Sequence, residues 1–179
     1  MESKVPEAKQ FAIAAHGDQK YGDDPYSKHL QDVVNIIHSF EFPPSLELME
    51  VAWLHDTIED TEVTRQEIVD EFGQNIADVV FAVSCGYGKN RKDRWLNTFY
   101  KIRDNKVVDR AIPVKLADRI ANIMNCIKDG NKGLFSMYSK EHYVFKCALW
   151  NRREGLRVVR MWSLLDSLIE EGREKFNVC

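Results

Sequence analysis

Residues 48–61 constrain the fold of this chain more than any other stretch. The apolar run Leu48-Met49-Glu50-Val51-Ala52-Trp53-Leu54 leads without a break into His55-Asp56-Thr57-Ile58-Glu59-Asp60-Thr61. On a 3.6-residue period, His55 and Glu59 share one stripe, and Asp56 and Asp60 the next. With His55 at zero, Val51 and Ile58 fall roughly 40–60° to one side and Ala52 about 60° to the other. The histidine therefore sits inside the apolar face, and all four ionisable groups span only about 140°. A helix burying this arc must satisfy two or three carboxylates and an imidazole away from water. That is costly unless a cation neutralises them. The plainer alternative is a helix end whose acids face solvent, and a His-Asp pair alone does not separate the two.

The helical period runs through the rest of the chain. Ala8, Phe11, Ala12 and Ala15 mark a short helix over 5–16. After the loop Gly17–Pro25, Asp24 as N-cap and Pro25 in the first turn open a helix to Phe40. His29 shares its stripe with Tyr26, Val33, Ile36 and Phe40 and faces inward. Alone, such a histidine is more often a hydrogen-bonded core residue than a ligand. Pro43-Pro44-Ser45 breaks the chain, and Ser45 caps the helix that carries residues 48–61. Thr64-Arg-Gln-Glu67 is a capping box opening a helix that closes near Gly73, and another helix spans Ile76–Ser84. Gly86–Arg94 reads as a loop whose Lys89, Arg91, Lys92 and Arg94 suit a solvated surface better than a phosphate site.

Over Pro113–Lys128, Leu116, Ile120, Ile123 and Ile127 form one stripe, with Lys115, Asp118, Asn122 and Asn125 on the other side. Met137–Asn151 and Glu154–Gly172 read as two long helices, with Arg153, Arg157 and Arg160 as a basic face. Alternation with period two is absent, so the expected fold is all-α, a single domain over 1–179 with about eight helices. A net charge of −3 gives no reason to expect nucleic acid or an anionic membrane as partner, so an anionic substrate must meet local basic residues. The four cysteines (Cys85, Cys126, Cys147, Cys179) show no CxxC spacing. Together with an N-terminus lacking a signal-peptide core and no apolar run of spanning length, they suit reduced thiols in a cytoplasmic protein.

A histidine, then His-Asp, then a late Asp is the order of the ligand set in HD metal-dependent phosphohydrolases. The chain resembles that superfamily at His29, His55-Asp56 and Asp118. The resemblance tightens to one branch through Pro25-Tyr26-Ser-Lys-His29, His-Asp-Thr-Ile-Glu-Asp-Thr, the Glu67…Phe72-Gly73 spacing and Lys-Leu-Ala-Asp-Arg-x-x-Asn. Together these look like the hydrolase domain of the RelA/SpoT homologues, in the length of a stand-alone small alarmone hydrolase. The motifs run from about residue 16 to residue 125. The resemblance implies an HD helical bundle holding Mn²⁺ through His29, His55, Asp56 and Asp118. It also implies a catalytic pair, Glu59 and Asp60, and nucleotide contacts at Lys20 and Asn122. Mixed imidazole and carboxylate ligands suit a borderline divalent ion, which lowers the pKa of water beside it. Two departures stand out: Asp23-Asp24 precedes Pro25 where the family commonly has Gly with a small or acidic neighbour, and nothing after residue 128 carries a family signature.

The implied reaction is removal of pyrophosphate from the 3′ position of guanosine tetra- or pentaphosphate (ppGpp, pppGpp), leaving GDP or GTP. Two alternatives stay open at the level of sequence. One is a phosphatase on another ribose-phosphorylated nucleotide such as NADPH; the other is a catalytically silent HD module that binds or regulates. A stand-alone form is also compatible with a homo-oligomer and with functional pairing to an alarmone synthetase.

Overall fold

A computed structural model of the chain describes residues 3–40, 43, 45–104, 107–150 and 155–178. Among these lie ten helices: α1 (Val5–His16), α2 (Tyr26–Phe40), α3 (Leu46–Leu54), α4 (Thr57–Asp60), α5 (Arg65–Phe72), α6 (Gln74–Val83), α7 (Arg91–Asp104), α8 (Val108–Asp129), α9 (Lys132–Leu149) and α10 (Leu156–Phe176). The architecture is all-α, as the periodicity indicates. α8 is its axis. It packs against α2 and α10 most extensively and also touches α3, α6, α7 and α9. Its Leu116, Ala117, Ile120, Ala121 and Ile123 are buried, and each large aliphatic among them stabilises the fold by about 1.5–3 kcal/mol. α8 begins five residues before Pro113 rather than at it, so the proline lies inside the helix, where it removes one i→i−4 hydrogen bond.

Several expectations need correction. The stretch 48–61 is not one helix: α3 ends at Leu54, His55 and Asp56 form a turn, and α4 is a single further turn. Asp56 takes φ −101° and ψ −4°, and its carbonyl accepts from both Glu59 N and Asp60 N. Residues 91–94 are helical, not loop. Asn90 accepts from Asp93 N at 2.9 Å and so caps α7, whose inner side carries Trp95, Phe99 and Ile102. These two elements account for the excess over eight helices.

The loop Gly17–Pro25 contains a two-residue antiparallel ribbon, Lys20–Tyr21 (β1) with Asp24–Pro25 (β2), where no strand was expected. Asp24 thus pairs in the ribbon instead of capping α2, and Tyr26 N donates to Gln19 O at 3.0 Å. The caps at Ser45 and Thr64 form as read, the latter as a full capping box with Glu67, and Gly73 closes α5 at φ +88°. Pro44, Asn151, Arg153, Glu154 and Cys179 lie outside the described residues; Cys85, Cys126 and Cys147 are free thiols. No helix among the described residues is long and apolar enough to cross a membrane.

Candidate metal centre and catalytic cavity

Two helices and one turn converge on a cluster of buried ionisable groups. His29 projects from the second turn of α2, His55 and Asp56 come from the turn between α3 and α4, and Asp118 comes from mid-α8. His29 and His55 are each 1 % exposed and Asp56 is 8 % exposed, too dry for an unpaired carboxylate. One donor atom from each of His29, His55 and Asp56 lies within 4.8 Å of the other two. His55 Nε2 is 3.0 Å from Asp56 Oδ2, and His29 Nε2 is 3.5 Å from both Asp56 Oδ2 and Asp118 Oδ1.

The backbone fixes the tautomer of His55. Its Nδ1 donates to Ala52 O at 2.8 Å, which leaves Nε2 turned toward the carboxylates. Nε2 is buried and, although Asp56 Oδ2 lies 3.0 Å away, it makes no well-directed hydrogen bond among the described residues. An imidazole pinned at one nitrogen, with the other turned toward two carboxylates, is the donor arrangement of a divalent cation site. The residues therefore fit a bound metal. In its absence the cluster holds itself together by protons. Burial alone would lower the pKa of His29, but the hydrogen bonds it donates to Asp118 and Asp56, and their negative charge, raise it to about 10. Against the same burial, the two imidazoles hold the carboxyl of Asp56 far below the ordinary range.

A second cation is built in. Lys115 Nζ lies 3.1 Å from Asp118 Oδ2. Its burial favours the neutral amine, yet Asp118, Glu59 and Asp56 outweigh that and keep it charged beyond the usual lysine range. Asn122, one turn beyond Asp118, donates Nδ2 to the main-chain O and to Oδ1 of Asp118, and accepts from Tyr21 Oη at 2.7 Å. Tyr21 also stacks on His29 with ring centroids 4.7 Å apart. The amide of Asn122 is thus committed to holding Asp118 and Tyr21. Lys20, next to Tyr21, is exposed and off the cavity wall. Side chains alternate along the ribbon, and Tyr21 takes the inner side.

Glu59 and Asp60 line the same cavity of about 240 Å³ as His29, Asp56 and Asp118. Glu59 Oε2 accepts from Cys85 N at 2.8 Å. Burial raises its pKa above the usual value, Asp56 and Asp60 add to this, and Lys115 offsets it only in part. Asp60, at the exposed end of α4, is aimed by Tyr26. The Tyr26 hydroxyl lies 2.7 Å from Asp60 Oδ2 and 2.8 Å from Asp56 Oδ2, and its ring stacks on His16 at 4.3 Å. Sequence reasoning placed Tyr26 on the inner stripe without giving it a role. Its position three residues before His29 was the available signal.

Arg91, Arg94 and Arg119 line the same cavity, together with Trp95 and Tyr138. Of the basic cluster at 89–94, Arg91 and Arg94 reach the wall, whereas Lys89 and Lys92 are exposed and do not. The solvated reading therefore holds for half of that cluster. Tyr138 has no site role in the sequence reading, whereas Arg119, in the same motif as Asp118, is open there to a site role or a structural one.

A sequence model of the HD domain matches residues 8–134. The chain is 33% identical over 122 residues to a guanosine-3′,5′-bis(diphosphate) 3′-pyrophosphohydrolase of Aquifex aeolicus, covering 67% of this chain and 17% of that one. It is 26% identical over 176 residues to guanosine-3′,5′-bis(diphosphate) 3′-pyrophosphohydrolase MESH1 of Danio rerio, covering 93% of both. The chain thus spans about a sixth of the Aquifex relative and nearly all of the Danio one. Among solved structures, a metazoan orthologue of SpoT, described as hydrolysing ppGpp, superposes with a TM-score of 0.75 over 96% of both chains at 19% identity. That likeness establishes the fold.

Proposed function

Because this chain belongs to the HD-domain family, we propose that it is a metal-dependent phosphohydrolase that removes pyrophosphate from the 3′ position of guanosine tetra- or pentaphosphate, leaving GDP or GTP. One observation carries the reading: a carboxylate of raised pKa, Glu59, shares a small cavity with a buried His-Asp donor set and three guanidiniums. His29, His55, Asp56 and Asp118 would hold the ion, for which we favour Mn²⁺ on the mixed nitrogen and oxygen donor set. When bound, such an ion acidifies water and offsets negative charge on a phosphate oxygen.

The chain's own residues do the rest. Glu59 keeps one oxygen anchored on the Cys85 N–H and has the other free to take a proton from the attacking water. Asp60, held by the Tyr26 hydroxyl, receives that proton or orients the water. Arg94, Arg91 and Arg119 draw the polyphosphate into the cavity, and Lys115 keeps Asp118 ionised and aimed. For the nucleotide itself we retain as contacts Asn122, on the cavity wall, which would exchange its bond with Tyr21 for one to the substrate, and Lys20. Lys20 would have to reach in from the rim of the ribbon.

Residues 1–179 act on this reading as one hydrolase domain in the cytoplasm, compatible with a homo-oligomer and with opposing a synthetase. Product analysis tests the reaction. With Mn²⁺ and a panel of 3′-diphosphorylated, 3′-monophosphorylated and 2′-phosphorylated nucleotides, NADPH among them, guanosine tetraphosphate should give GDP and pyrophosphate fastest. Faster release of orthophosphate from a 2′-phosphorylated nucleotide would transfer the assignment to that substrate class. No turnover of any of them would leave a binding module.

A further inference from the structure

α9 lies beyond the last residue that the HD-domain model matches, apart from its first turn, and no role follows for it from the family motifs. It sends Tyr138 into the cavity wall, and one turn later Glu141 stands behind that wall rather than in it. Glu141 is where two of the cavity's guanidiniums meet. Arg91 of α7 donates Nε to Oε1 at 2.8 Å and Nη2 to Oε2 at 3.2 Å. Arg119 of α8 donates Nη1 to the same Oε2 at 3.3 Å. Tyr138 lies beneath both cations, 5.8 Å from Arg91 and 4.5 Å from Arg119, and Phe145 is 4.5 Å from Arg119.

The two arms of this clamp are unequal. The Arg119 side chain is 11 % exposed and is held between two rings, so it keeps its place without the carboxylate. The Arg91 side chain is 49 % exposed and starts the helix that covers the cavity. With the Glu141 charge removed, the two guanidiniums repel each other, and Arg91 is the one free to swing into water. A bidentate carboxylate occupies one edge of the Arg91 fork and leaves its remaining N–H groups for another acceptor.

We propose that Glu141 is a positioning residue: it ties Arg91 to Arg119 across three helices, so that their free N–H groups form a paired seat for a diphosphate at the cavity rim. A single phosphate needs only Arg94 or Arg119, whereas a diphosphate engages Arg91 as well, so Glu141 favours substrates with a chain of two phosphates. This rests on reading the cavity as a phosphohydrolase site.

Titration calorimetry of the Mn²⁺-loaded full chain with inorganic pyrophosphate and with orthophosphate, alongside turnover of guanosine tetraphosphate, tests it. Glu141→Gln should weaken pyrophosphate binding at least tenfold and orthophosphate binding less than threefold. It should raise KM about tenfold with kcat held within threefold. Glu141→Asp should recover part of the loss. Arg91→Gln should match Glu141→Gln, and the double variant should be no worse than either single one. Should Glu141→Gln not fold, Glu141→Asp and Arg91→Gln carry the same test. Pyrophosphate binding that is unchanged or tighter in Glu141→Gln, or losses that add in the double variant, would overturn the clamp. So would wild-type protein that does not bind pyrophosphate. If pyrophosphate binding responds as expected but no nucleotide is turned over, the clamp stands and the proposed reaction fails.

Discussion

Metal binding should be visible as a pH-dependent gain in thermal stability, because the ion and a proton compete for His29. In the metal-free protein that histidine carries a pKa raised to about 10 by Asp118 and Asp56, against the burial that would lower it. A folded-state pKa above the unfolded value of about 6.5 contributes stability that is full below pH 6.5 and is lost as pH rises through about 10. The metal-free Tm should therefore fall as the pH is raised from 6.5 to 8.5. The metal-loaded protein has no such proton to lose, and its affinity should tighten by up to tenfold per pH unit, or about 1.4 kcal/mol. Free Mn²⁺ about 100-fold above its Kd adds about 2.7 kcal/mol to the folded state. For a chain of this size that is about 5–11 °C in Tm, widening by about 3–6 °C per pH unit. Scanning calorimetry with Mn²⁺ or chelator at pH 6.5, 7.5 and 8.5 measures this, and His55→Ala should abolish the gain at every pH. Equal Tm with and without metal, or a gain that shrinks as pH rises, would refute the assignment of this cluster as the metal centre.

Glu59→Gln keeps the shape of the cavity and removes its base, so bound metal should persist while turnover falls by roughly 10²-fold. A near-normal rate would remove Glu59 from the chemistry. Tyr26→Phe keeps the stack on His16 but leaves Asp60 unanchored, and loss of a hydrogen bond to a charged group predicts a cost of about 1.5–3 kcal/mol in urea unfolding together with slower turnover. Unchanged unfolding would mean that Asp60 does not depend on Tyr26. Gly172→Ala drives a methyl group into the buried ring of Phe135 between α10 and α9, and should cost about 1–3 kcal/mol without changing metal content.

Period 3.6 was enough to read the all-α class, the caps at Ser45 and Thr64 and the inward stripe of His29, because each is a local property of a few residues. His29, His55, Asp56 and Asp118 were legible as a set only through family motifs, since it takes the crossing of α2 and α8 to bring residues 29 and 118 together. The break at His55-Asp56 was invisible because both flanking segments keep helical spacing. α7 was missed because its polar first turn, Arg91-Lys92-Asp93-Arg94, continues the loop composition before it, although Trp95, Phe99 and Ile102 already show the helical period. Lys20 and Tyr21 could not be told apart without the ribbon, whose alternation decides which of them faces the cavity. Glu141 carries no local signal: its importance lies in two arginines 50 and 22 residues away.

Hydrolysis of guanosine tetraphosphate by the Mn²⁺-loaded protein in ¹⁸O-enriched water tests the central claim most directly. If water activated beside Glu59 attacks the phosphorus attached at the 3′ position, the released pyrophosphate carries one ¹⁸O and the GDP carries none. Label in orthophosphate, label in the nucleotide, or pyrophosphate release that continues in the presence of a chelator and in Glu59→Gln would contradict the account.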